Sequence, residues 1–167
     1  MKIALATIAQ YFRIGLEADC CRDDEVREWA LRVIEALDDP PAEIFELSWR
    51  YPRSRLLDNL NAVQGAADLD AVGDWLLAAI DASMTPDGNL HHYLRQAFYV
   101  VRATNLSRDD VYFTLDCIAD DLQLTELGLA GEAAACRQEL SALLSRYSPA
   151  PFAQGWADVI FAVTGSP

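Results

Sequence analysis

His91 and His92 are the only histidines in the chain, and histidine is the first residue type to examine for metal or acid–base chemistry. Neighbouring helical residues project about 100° apart, so the two rings cannot ligate one ion from one face. Nor can they supply the dispersed histidine and aspartate ligands of a helical metal phosphohydrolase. An interhelical hydrogen bond or a surface position is the expected role. Cys20, Cys21, Cys117 and Cys136 lack the paired two-residue spacing of a zinc site. Adjacent cysteines bridge only with unusual backbone geometry, so the four are read as reduced thiols that pack as small buried hydrophobes.

The carboxylates offer two candidate clusters, Glu25 with Glu28 and Asp116 with Asp120 and Asp121. Magnesium needs several oxygens in octahedral array, which helices provide when acids converge from facing elements. Glu25 and Glu28 fall in an opening helical turn, where acids are favoured by the helix dipole alone. Neither cluster has the E-x-x-E plus E-x-x-D arrangement of helical nucleotide pyrophosphohydrolases. The chain has no P-loop, dinucleotide glycine motif or G-x-S-x-G elbow. Arg50, Arg53 and Arg55 form its one basic cluster, which could hold a phosphate but is expected to pair internally with nearby acids. No catalytic residue, metal ligand or cofactor is assigned.

The surrounding composition favours binding over catalysis. Twenty-six acidic side chains against 13 basic ones give a net charge of −13 and a pI near 4.3, so phosphate backbones and anionic lipid are repelled. Sixteen of the acids precede Met84 and 10 follow it, which makes the charge a property of the whole surface rather than of a tail. A solvated surface or attraction to a basic partner accounts for it. Hydrophobic residues make up 52% of the 167, enough for one domain over residues 1–167 with its own core. No stretch approaches the roughly 18 apolar residues of a membrane span, and Ile3 to Ala9 is too short for a secretory core. The expectation is a cytoplasmic protein without membrane or nucleic-acid partners.

Apolar residues recur at helical spacing through most of the chain. Leu5, Ile8, Phe12 and Leu16 mark a first helix; Val26, Trp29, Ala30, Val33 and Leu37 a second, with Asp23 and Asp24 at its start and Glu28 placed to pair with Arg32. Pro40 and Pro41 stop it and open a short third helix. Residues 51–55 read as a connection, Leu56 to Leu60 as a short helix, and Leu69 to Ile80 as a helix capped by Asp68. Thr85-Pro86-Asp87 reads as a restart signal for a helix continuing to about Asn105. Ser107 with Asp110 resembles a capping box ahead of Val111, Leu115, Ile118 and Leu122. Ala133 to Tyr147 follows, and Phe152 to Val163 reads as a last amphipathic segment before a frayed end at Gly165, Ser166 and Pro167. These periods predict an all-α fold, an irregular bundle of eight or nine helices with no strand.

One helix face stands apart. With Val111, Leu115, Ile118 and Leu122 turned inward, Asp109, Phe113, Asp116, Asp120 and Gln123 fall on the opposite side. An aromatic ring among acids is the composition of a binding hot spot for a basic partner. The competing expectation is that Phe113 is buried against a second layer.

The segment Glu28-Trp29-Ala30 through Ile34, Asp39-Pro40-Pro41, Ile44 and Leu47-Ser48 resembles small helical bacterial proteins, some encoded beside polymorphic toxins and regarded as their immunity partners. The resemblance implies a cytoplasmic inhibitor that occludes a toxin's active site, and an acidic surface suits a basic toxin domain. No toxin-contact residue is matched position by position. The reading is therefore an acidic protein-binding domain, an immunity protein in its most concrete form, with Asp109, Phe113, Asp116 and Asp120 as partner-binding residues. A helical metal hydrolase built on Asp116, Asp120 and Asp121, or a helical adaptor without a toxin, remains the alternative.

Overall fold

In a computed structural model of the chain, the structure describes residues 2–104, 109–129 and 131–163. It is an all-α bundle, with 65% of the described residues helical. Among the described residues a short strand β1 (Lys2–Ala4) leads into α1 (Leu5–Glu17), α2 (Asp23–Ala36), α3 (Ala42–Leu47), α4 (Arg53–Ala62), α5 (Leu69–Ser83), α6 (Leu90–Ala103), α7 (Asp109–Glu126) and α8 (Ala133–Leu144), and a second strand β2 (Ile160–Ala162) closes the series.

α1 is the hub. Its residues are almost all small or apolar, so it buries several faces, with Leu5, Ile8, Ala9, Phe12, Ile14 and Leu16 all in the core. It packs against α4, α5 and α6, while α2 rests on α3, α3 on α4, α6 on α7, and α8 on both α7 and α5. One continuous apolar cluster runs through all of these contacts. None of the helices is long and apolar enough to cross a membrane, among the described residues.

The caps follow local chemistry. Asp68 accepts from the Ala71 N–H at 3.0 Å, and Asn89 accepts from the His92 N–H at 3.3 Å, each satisfying an orphan donor of the first turn. At α2 the cap is Arg22, not Asp23 or Asp24, and the Glu25 carboxylate reaches back to the Arg22 N–H at 2.6 Å. α4 begins at Arg53, inside the stretch expected as a connection, because Pro52 stands just ahead of its first turn.

Four further expectations are corrected. Thr85-Pro86-Asp87 does not open α6, which starts at Leu90. Instead Gly88 donates back to the Thr85 carbonyl, and Arg137 from α8 donates to the carbonyls of Thr85 and Gly88 at 2.9 and 2.7 Å. Those oxygens are thereby engaged outside any helix, and Gly88 is needed because a Cβ there would strike the Tyr93 hydroxyl. Phe152 to Val163 is not a helix: residues 151–158 turn repeatedly, and Ile160, Phe161 and Ala162 pair in parallel with Lys2, Ile3 and Ala4. The expectation of no strand fails there, since each three-residue strand is too short to show alternation. Glu28 does not pair with Arg32, which bonds Glu35 instead at 3.0 Å.

The capping box expected at Ser107, the helix end at Asn105, the side chain of Asp109 and the frayed end from Gly165 to Pro167 lie outside the described residues.

Candidate binding surfaces

α7 carries the predicted face. Its inward stripe is buried as expected, with Leu115, Ile118 and Leu122 against α6 and α8. Opposite them Phe113 is 67% exposed, and Asp116, Asp120 and Gln123 are exposed beside it. The alternative of a second layer over Phe113 is thus not what the structure has. Three further apolar side chains, Leu124, Leu127 and Leu129, are exposed where α7 ends. Tyr112 is exposed too and meets Phe98 edge to face, with centroids 5.1 Å apart. The sequence pattern did not single out these four, because a scattered leucine or tyrosine reads equally as core.

The residues weighed for chemistry are dispersed. His91 bonds Glu126 at 2.7 Å, joining α6 to the end of α7, and His92 lies 3.1 Å from Arg95. Arg53 bridges Asp19 and Asp23 at 3.2 and 3.1 Å. Arg55 bonds Glu46 at 3.2 Å and lies over the Tyr51 ring. The arginine cluster is thus largely paired internally. Asp116, Asp120 and Asp121 all point to solvent. Among the described residues no group of three or more histidine, cysteine, aspartate or glutamate side chains is placed to hold a metal ion.

All four cysteines are free. Cys21 and Cys136 are buried, Cys20 is half-buried, and Cys117 is exposed, which corrects the expectation that all four are core. Burial, with the neighbouring Asp19 charge, pushes the Cys20 thiol up to about 12. Burial, with Glu25 and Cys20 nearby, raises Cys21 further, and the Tyr11 hydroxyl bonded to it is raised by the same desolvation. These groups stay neutral at neutral pH and are poor nucleophiles.

A second surface was not legible in the sequence. A cleft of about 500 Å³ is floored by Tyr11 and Phe12 of α1 and by Cys20 and Cys21. Glu25 and Glu28 of α2 stand on one side and Trp75, Ala78, Ala79 and Ala82 of α5 on another, while Phe152 and Trp156 close it. The rings are interlocked: Phe152 stacks on Trp156 with centroids 4.5 Å apart, and receives Tyr11 and Trp75 edge-on at 5.1 and 5.5 Å. The one sequence signal for it is the run of small side chains on α5 beside Trp75, which leaves room where a larger residue would fill the space.

No protein-family model, curated protein or solved structure matches the chain.

Proposed function

We propose that this protein binds another, basic protein through the outward face of α7, and that the partner is a bacterial toxin which it neutralises by occlusion. The observation that carries the reading is the exposed Phe113 ring on a face with Asp116 and Asp120. A ring left in water at the centre of such a face gains most when a partner's pocket covers it. The charge of −13 steers a basic partner toward it and disfavours acidic competitors. The toxin is suggested by the resemblance of Glu28 to Ser48 to immunity-type proteins.

The test is capture of partners by the purified protein from lysate of its native cell at graded salt. A basic protein is expected, bound less as salt rises and lost with Phe113→Ala. It should arrest growth when expressed alone and be tolerated when this chain is co-expressed. An acidic partner, or a basic one retained by Phe113→Ala, overturns the assignment to α7. A basic partner harmless on its own leaves a helical adaptor as the function.

A further inference from the structure

The cleft over α1 has a chemistry independent of the α7 face. Its volume, about 500 Å³, lies in the ordinary range for small-molecule sites of roughly 300–1,000 Å³. The side chains that line it include five aromatic rings and two carboxylates, and no lysine, arginine or histidine. Any ligand charge it accepts is therefore positive.

The two carboxylates differ. Glu25 already accepts from the Arg22 N–H through one oxygen. Glu28 has no hydrogen bond or ion pair among the described residues, because Arg32 is held by Glu35. Glu28 is exposed at the rim, so its charge faces the mouth uncompensated. The thiols of Cys20 and Cys21 and the Tyr11 hydroxyl stay protonated, which leaves the glutamates as the cleft's negative charge.

The walls then select the kind of cation. A hard divalent ion needs a shell of oxygens that two glutamates do not complete. A bare primary ammonium would surrender its hydration against Ala78, Ala79, Ala82 and Phe152, which offer it no acceptor. An alkylated ammonium is weakly hydrated, buries its methyl groups against apolar walls, and is attracted by the faces of aromatic rings. Tyr11 and Trp156, both half-buried, present the accessible aromatic surface.

We propose that this cleft binds a small organic cation with an alkylated ammonium head, held against the accessible surfaces of Tyr11 and Trp156 and balanced by Glu28 at the rim. Choline is the probe, and 3,3-dimethylbutan-1-ol is its uncharged counterpart of the same shape. Tryptophan fluorescence and calorimetry should show saturable binding of choline and at least tenfold weaker binding of the alcohol. Glu28→Gln, an exposed change that leaves the fold alone, should weaken choline about three- to tenfold, and Trp156→Leu about three- to thirtyfold. Phe113→Ala should leave it unchanged, which separates this site from the α7 face. Should Trp156→Leu not fold by circular dichroism, Glu28→Gln and the alcohol decide the matter. Equal binding of the alcohol, indifference to Glu28→Gln, or no saturation by about 10 mM, where a millimolar site is nearly full, overturns the proposal.

Discussion

Gly15 and Cys21 meet at the end of α1 more closely than any larger residue would permit. The Gly15 carbonyl accepts from the N–H groups of both Cys20 and Cys21, at 2.7 and 3.1 Å, and a Cβ on Gly15 would run into the Cys21 sulfur. In an open helix Gly→Ala gains about 0.5–1 kcal/mol. Here Gly15→Ala is expected to lose about 1–3 kcal/mol, the usual cost of overpacking. Urea unfolding measures it, and an unchanged or raised midpoint would contradict the contact.

Phe113 and Leu115 should separate cleanly, being two residues apart on α7 with opposite environments. Phe113→Ala is expected to change stability by less than about 0.5 kcal/mol and to weaken partner binding by about 2 kcal/mol or more. Leu115 is fully buried, so Leu115→Ala should cost about 2–5 kcal/mol of stability. Thermal melts of the pair check the first comparison. A large loss for Phe113→Ala would assign its ring to packing.

Alkaline pH should destabilise the protein through the thiols of Cys20 and Cys21. Cys20 is raised in the folded state from 9.0 to about 12, and Cys21 and Tyr11 are also raised. Below pH 9 folded and unfolded chains are both protonated at Cys20, and the stability is fully present. As pH rises from about 9 toward 12 the unfolded chain releases its proton first, and stability falls. Cys20→Ala should flatten that decline. A stability curve that is level from pH 8 to 11 in the parent protein would refute it.

Thiol labelling tests the burial of the cysteines directly. Cys117 is exposed while Cys21 and Cys136 are buried, so a disulfide reagent under native conditions should modify Cys117 fast and the other two only on unfolding. Peptide mapping of the labelled protein reads this directly. Fast labelling of Cys21 would mean the Tyr11 contact does not protect it.

Chelator is expected to leave the melting temperature where it is, since a bound ion would stabilise the folded chain by mass action. A loss reversed by adding one particular metal would instead restore the hydrolase reading of Asp116, Asp120 and Asp121.

The helices were legible because their burial depends on a period that the sequence displays: the stripe from Leu115 to Leu122 and the wet face around Phe113 are one pattern seen from two sides. Starts were less so. Thr85-Pro86 has good opening chemistry, but Arg137 lies far along the chain, and its claim on two carbonyls leaves no local trace. Apart from the small side chains on α5, the cleft left no sequence trace for the same reason, since Tyr11, Glu28, Trp75 and Trp156 share no local pattern and meet only once α1, α2, α5 and the C-terminal segment have assembled. Glu28 in particular reads as half of a helical ion pair until the structure gives its partner to Glu35.

The pairing of β1 with β2 also sets an order in time. A chain made from its N-terminus must leave Lys2 to Ala4 unpaired until Ala162 has been added, since those residues share a ladder, while every helix between them can already find its neighbours. Phe152 and Trp156 lie just before that closing strand. Among the described residues, the ring cluster over α1 is therefore completed only after the helices it covers have been made.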